Sequence, residues 1–315
     1  MNLVVGPHGS WPHPERRAAA TIGVYDGVHR GHRAIIGALG EQAGERDLAL
    51  TVVTFRSHPA EVLAPERVPP RLTTLDQQLD QFAALGVDAV AVLDFDDELR
   101  RLSAERFVVE VLVEALECAV VSVGEDFRFG YRQEGDVALL RELGTTHGFM
   151  VTPMALVGDA DGPFRASAIR AALAEGDLGE AGRILGRRFA VAGTVARGDG
   201  RGRSIGFPTA NLELSPRQAL PKRGVYAVWV RLDDGNAPGA ANVGVRPTFA
   251  GDTEVLEVHL LDSDRDLYDQ AMEVEFVARI RDERRFDGVD ELAAQIGRDV
   301  AEAARLLAVD AGSPT

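Results

Sequence analysis

Lysine is nearly missing from this chain: of 34 basic residues among 315, only Lys222 is a lysine. A P-loop or Schiff-base lysine is therefore not expected, and phosphate charge must be met by arginine, histidine, backbone amides or a metal ion. Cysteine is as scarce, with Cys118 alone, so an internal disulfide is impossible and a cysteine-ligated zinc site is not expected. No apolar run reaches the length of a membrane span, and the N-terminus lacks the basic-then-apolar pattern of a secretion signal. The expectation is a soluble, cytoplasmic protein without a membrane partner. Excess positive charge is lacking too: a formal net charge of −15 leaves no large basic face, which argues against nucleic acid as a partner.

What is present suffices for two ordinary cores, at 315 residues and 45% hydrophobic content. From Arg17 to about Ala155, the short apolar runs AAATIGVYD, LALTVVTF, DAVAVLDF, CAVVSVG and FMVTPMAL read as buried strands. They alternate with HRAIIGALGEQA, TLDQQLDQFAALG and SAERFVVEVLVEAL, whose apolar positions recur every three or four residues. This rhythm predicts a parallel α/β sheet with helices on both faces and ligands beyond the carboxyl ends of its strands. The second half reads differently: FAVAGTVARG, TANLELS, GVYAVWVRLDD, GAANVGV, EVLEVHLLD and MEVEFVARIRD are strand-like, and one convincing helix, VDELAAQIGRDVAEAARLL, follows. Six strands and a helix predict a small closed barrel. Between the halves, two short helices broken at Gly176 put the boundary near Gly186, giving domains 1–186 and 187–315. A small-polar tail is expected from about Val309.

The densest motif runs from Gly198 to Asn211, GDGRGRSIGFPTAN. Gly198, Gly200, Gly202 and Gly206 permit backbone amides to approach a polyphosphate, and Arg197, Arg201 and Arg203 add positive charge. The glycines alone would sooner fit a glycine-rich hairpin in a β domain. Pro208-Thr209-Ala210-Asn211 tips the reading, because Thr209 and Asn211, two residues apart on an extended segment, offer hard oxygen donors of the kind Mg²⁺ accepts beside nucleotide phosphates. Neither a P-loop nor a GxGxxG fingerprint fits, so the motif points to another form of phosphoryl transfer. Near the N-terminus, Asp26-Gly27-Val28-His29-Arg30-Gly31-His32 joins the first of these strand runs to a helix. His29 and His32 near a helix N-terminus can both face a phosphate there, while Gly31 leaves room for the nucleotide.

GVYDGVHRGH, VVTFRSHPAEVL, VGEDFRFG and RGRSIGFPTAN, in that order, resemble the prokaryotic bifunctional riboflavin kinase/FMN adenylyltransferase family. RLTTLDQQLDQFAALGVD, NVGVRPTF and DLYD extend the resemblance from about Thr21 to Leu307. It implies an N-terminal Rossmann-like nucleotidylyltransferase sheet and a C-terminal riboflavin kinase six-stranded β-barrel with a terminal helix. In that reading the first domain transfers AMP from ATP to FMN, with His29 and His32 at the ATP phosphates. Gly23, Asp26, Gly31 and Arg170 shape the nucleotide site, and Phe55, His58, Asp126, Phe127 and Phe129 the flavin site. His58 by its own context is equally a structural hydrogen-bonder, and Phe127 and Phe129 are equally core residues. The barrel uses Gly200, Gly202, Gly206, Thr209 and Asn211 for Mg-ATP, with Glu257 as the base that takes the ribityl 5′-hydroxyl proton. By itself Glu257 reads as solvated surface on an outward strand face. Riboflavin, FMN, FAD, ATP and ADP are the implied ligands, with Mg²⁺ as cofactor; self-association is left open.

Three departures stand out. Where the family has ISSTxIR closing over ATP, this chain has Phe164-Arg165-Ala166-Ser167-Ala168-Ile169-Arg170, which removes two hydroxyls and puts serine for threonine. Ser57 replaces a usual proline, and Asp269 stands where DLYG is usual, a position Asp tolerates if φ is positive. The altered loop keeps a rival open, a monofunctional riboflavin kinase with an impaired first domain. A non-catalytic flavin-binding regulatory protein is a second rival, opposed by the intact PTAN and Glu257.

Overall fold

The computed structural model describes residues 1–5, 11–13, 15–197, 201–248, 251–261 and 265–311. Gly198 and Gly200 of the glycine-rich motif lie outside the described residues. The chain divides into two compact units, residues 1–69 with 75–165, and residues 70–74 with 166–315.

In the first unit the elements run β1 (Asn2–Val5), β2 (Ala18–Ile22), α1 (Arg30–Glu45), β3 (Ala49–Phe55), α2 (Ala60–Leu63), α3 (Leu75–Ala84), β4 (Ala89–Leu93), α4 (Ala104–Phe107), β5 (Cys118–Gly124), α5 (Val137–His147) and β6 (Met150–Met154). A two-stranded ribbon follows, β7 (Gly158–Asp159) with β8 (Gly162–Pro163). The main sheet has the order β1-β4-β3-β2-β5-β6, and its neighbouring strands pair in parallel. All five strands expected from the sequence are present, and β1 is added at the edge: NLVV is too short to stand out as a strand until β4 supplies its hydrogen bonds. Helix α5, not singled out by the sequence pattern, crosses from β5 to β6, and α4 continues as π-helix over Val108–Ala115.

The inner strands β2, β3, β4 and β5 are largely apolar because both faces are covered. Ala18, Ala20 and Ile22 of β2 pack with Val53, Leu112 and Leu140 on one side, while Ala19 packs with Ile36, Leu39 and Phe82 under α1 and α3 on the other.

The second unit contains α6 (Ala166–Glu175), α7 (Leu178–Leu185), β9 (Ala190–Ala196), α8 (Arg201–Ser204), β10 (Ala210–Leu214), β11 (Gly224–Leu232), β12 (Gly235–Thr248), β13 (Gly251–Leu260), β14 (Ala271–Arg281) and α9 (Val289–Ala311). The expected break at Gly176 is there, at φ 78° between α6 and α7. The expected boundary at Gly186 falls at the end of α7, whereas the compact unit starts twenty residues earlier, at Ala166. Strands β10-β13-β12-β11-β14-β9 close an antiparallel barrel. Helix α9 runs to Ala311, past Val309 where a tail was expected. Its last turns are tied down by Asp310, which accepts from Trp229 Nε1 at 2.8 Å and pairs with Arg188.

Parity along β11 separates the barrel's two faces. Tyr226, Val228 and Val230 are fully buried inside, whereas Ala227 and Trp229 on the outer face pack with Ala303, Val300, Leu306 and Leu307 of α9. Each large apolar side chain fully buried there contributes roughly 1.5–3 kcal/mol, which is enough to hold a helix on a barrel wall that the strand pattern alone would leave wet.

Candidate functional sites

Three neighbouring strands, β3, β2 and β5, deliver the first unit's candidates at their carboxyl ends. After β2 the chain turns through Gly23 and Asp26 to α1, with positive φ at Tyr25 (52°), Gly27 (83°) and Val28 (39°). Backbone of this kind in a non-glycine residue costs on the order of 1–3 kcal/mol and persists where packing fixes it. Here the packing is visible. The Tyr25 hydroxyl lies 2.6 Å from Thr21 Oγ1, and its ring meets Phe82 and His32 edge-on.

That turn makes His29 the N-cap of α1, where its Nδ1 accepts the His32 backbone N–H at 3.4 Å. A neutral His29 therefore carries its proton on Nε2. The two imidazoles stack with centroids 3.7 Å apart at 19°. Burial first, and the neighbouring His29 second, lower the His32 pKa well below its ordinary value, so His32 is neutral at physiological pH. Its Nδ1 is buried without a hydrogen-bond partner among the described residues. A Cβ on Gly31 would come within 3.1 Å of the His29 ring and 3.6 Å of the Phe164 carbonyl, so a side chain there would crowd the pair. Phe164 itself packs under the Arg30 guanidinium, 4.6 Å from its ring centre, which fixes the start of the altered loop against the HxGH turn. Asp26 is buried beside the same turn.

Phe55, at the end of β3, packs edge-on against Phe95. His58 shapes its own turn: Nδ1 accepts from Ala60 N at 3.1 Å, and its backbone N donates to Glu61 Oε1. Phe127 and Phe129 stack on each other at 5.5 Å, with Phe129 buried against Phe107 and Phe127 only half-buried, while Asp126 is exposed. Of the two readings open for the pair, Phe129 fits the core one. Arg170 belongs to the second unit, where its Nε donates to Pro70 O at 2.6 Å.

In the barrel, a cavity of 810 Å³ lies between the outer strand face and α9. One row of residues crosses five strands along its floor: Asn211 pairs with Glu257, Glu257 with Asn242, Asn242 with Val225, and Val225 with Arg281. All five line the cavity, as does Thr209, two residues before Asn211. Gly202 lies in the short helix α8 and leaves space for the Phe207 carbonyl, which its missing Cβ would strike; Gly206 follows at φ 86°. His259, on the same face as Glu257, has its Nδ1 2.8 Å from the Pro208 carbonyl and its ring edge-on to Phe207, which anchors the PTAN segment. On the opposite wall Asp299 is 4% exposed and accepts from Arg281 Nη2 at 2.6 Å and Gln295 Nε2 at 2.8 Å. Asp269 has φ 63°, the left-handed backbone that explains a usual glycine there.

Sequence reasoning missed Asn242, His259, Arg281 and Asp299 as cavity residues. Asn242 lay inside NVGVRPTF, a visible motif with no assigned role, and His259 sits two residues after Glu257 on one strand face. Asp299 gave no signal, because a carboxylate in a helix reads as solvated until its burial is known.

A helix capped by His29 at the carboxyl end of a parallel sheet, and a barrel cavity lined by Thr209, Asn211 and Glu257, fit a two-domain, nucleotide-dependent transferase. Residues 12–167 match the FAD synthetase family and residues 185–307 the riboflavin kinase family. The chain is 43% identical over 300 residues to the bifunctional riboflavin kinase/FMN adenylyltransferase of Escherichia coli, covering 95% of this chain and 96% of that one. Identity is 44% over 314 residues with the Pseudomonas fluorescens protein of the same description, at 99% of both chains. The chain belongs to the bifunctional riboflavin kinase/FMN adenylyltransferase family. A solved structure described as a macrolide-efflux protein from Streptococcus pneumoniae superimposes with a TM-score of 0.83 at 28% identity, covering 95% of this chain and 97% of that one. Among the described residues of this chain, no helix is long and apolar enough to cross a membrane.

Proposed function

We propose that the barrel phosphorylates riboflavin at the Thr209–Asn211–Glu257 cluster and that the HxGH turn transfers AMP from ATP to the resulting FMN. The observation that carries the first half is the facing of Asn211 and Glu257 across β10 and β13 inside one cavity. Glu257 takes the proton from the ribityl 5′-hydroxyl as that oxygen attacks the γ-phosphate, and Asn211 and Thr209 hold the phosphate end. Their amide and hydroxyl oxygens are hard donors suited to Mg²⁺, which when bound supplies charge neutralisation at the phosphates. At the other site, the Nε2–H of His29 and the first amides of α1 stabilise charge on the α-phosphate, while His32 buttresses His29 by stacking.

A cytoplasmic location belongs to the same proposal. One observation supports a slower second step: Arg165-Ala166-Ser167 lacks two of the family's loop hydroxyls, and hydrogen bonds to charged groups contribute about 1.5–3 kcal/mol each. Incubating the protein with riboflavin and Mg-ATP, and following FMN and FAD separately by chromatography, tests both halves. FMN without FAD would establish the kinase-only reading, and neither product would refute the proposal.

A further inference from the structure

Charged residues from the end of β14 and the segment that follows it line the cavity, and its two arginines there are both paired. Asp282 binds Arg279, Arg281 binds Asp299, and Arg284 binds Glu291. Glu283, in the middle of this run and lining the cavity, has no ion-pair or hydrogen-bond partner among the described residues. Though exposed to solvent, its carboxylate lies over Gly244. A Cβ built on Gly244 would collide with Glu283 Oε1 and would sit 3.1 Å from Asn242 Nδ2, so the missing side chain at Gly244 gives the carboxylate its place beside that amide. An anionic group turned to a cavity whose own cations are engaged elsewhere is suited to accept hydrogen bonds from a neutral, donor-rich ligand.

We infer that Glu283, seated over Gly244 and next to Asn242, recognises the internal hydroxyls of the ribityl chain and thereby sets the flavin specificity of the barrel site. This rests on the riboflavin kinase reading. Position follows from strand geometry. Asn242 is the cross-strand partner of Glu257, and Gly244 is two residues further along β12 on the same face, a spacing of about 7 Å. Glu257 and Gly244 are therefore diagonal cross-strand neighbours, about 7–8 Å apart, so with the 5′-oxygen at Glu257 a carboxylate over Gly244 is placed toward the ring-side hydroxyls of an extended ribityl chain. The imide edge of the ring system is too remote to be the donor, and the apolar ring has its own surface on Val289, Leu292, Ile296 and Val300 of α9.

The test uses the full chain. Riboflavin affinity is read from the quenching of its fluorescence, and kcat and KM are measured for riboflavin, for 3′-deoxyriboflavin and for Mg-ATP, in the wild type and in Glu283→Gln. Loss of one charge-assisted acceptor should raise the riboflavin KM and Kd roughly ten- to a hundredfold, with a much smaller change in kcat and none in the Mg-ATP KM. The wild type should discriminate against the deoxy analogue, and the variant should lose most of that discrimination. Gly244→Ala should weaken riboflavin in the same way, with an unchanged melting temperature excluding loss of fold as the cause. Unchanged riboflavin affinity in Glu283→Gln, or discrimination retained in full, overturns the inference. A wild type that binds riboflavin but makes no FMN overturns the kinase reading instead, since the fluorescence titration still reads Glu283.

Discussion

Asn211 and Glu257 stand directly opposite one another on β10 and β13, on the outer face of the barrel and in a cavity whose far wall is α9. An outer strand face is ordinarily wet. Covered by a helix, it becomes a site where a carboxylate and an amide can be held at a fixed spacing while substrate excludes water.

Glu257→Gln should therefore lower FMN formation by about 10²- to 10⁴-fold with little change in riboflavin affinity, because the amide keeps the shape and loses the base. Asn211→Ala should act mainly through Mg-ATP. Steady-state kinetics on both variants, with FAD formation from supplied FMN as the internal control, decide this. Near-normal turnover of Glu257→Gln would remove it from the mechanism.

For the stacked histidines, replacing His29 by Ala should depress FMN adenylylation by about 10²- to 10³-fold and leave riboflavin phosphorylation intact. His32→Ala should do the same by releasing the His29 ring. Equal loss of both activities would point to misfolding rather than to the HxGH turn.

His32 also predicts a pH dependence of stability. Its folded pKa lies well below the ordinary value of about 6.5, so below that pH the unfolded chain binds the proton more readily than the folded one. The contribution is intact above pH 6.5 and is lost as pH falls towards the depressed folded value. Melting curves at pH 7.5 and 5.5 should show a smaller acid loss in His32→Gln than in the wild type; parallel losses would contradict the assignment.

The altered loop gives a gain-of-function test. Arg165 immediately precedes α6, so Arg165→Ser with Ala166→Ser and Ser167→Thr restores hydroxyls at the head of that helix. Adenylyl transfer should rise roughly ten- to a hundredfold if one charged hydrogen bond forms only in the transition state, with kinase activity unmoved. A slower triple variant would mean that Arg165 already performs the task.

The unit boundary can be tested by truncation. Lys222 N donates to Leu173 O at 2.7 Å, and Arg279 lies against Gly176, so the two helices before Gly186 contribute to the barrel's surroundings. A fragment from Ala166 should fold and make FMN without FAD, and one from Arg187 should melt at a lower temperature. Equal stability would place the working boundary at Gly186.

Much was readable from residues alone. Unbroken apolar runs such as LALTVVTF announce strands covered on both faces, and alternation in GVYAVWVRLDD announces a barrel wall, because side-chain periodicity is a local property of the backbone. PTAN and HxGH stood out for the same reason: each motif is contained in a few consecutive residues. The edge strand Asn2–Val5 was not, since four residues become a strand only when Ala89–Leu93 supplies their partners. Nor were the placements of Glu257, Asn242 and Asp299. Their residue types were plain, but whether a polar side chain on a strand or helix faces water or a substrate depends on what long-range packing lays over it. Sequence determined the two folds and the motifs proposed to meet phosphate. Only the closure of the barrel and the docking of α9, which bring residues 211, 242, 257 and 299 around one space, decided which polar groups work together.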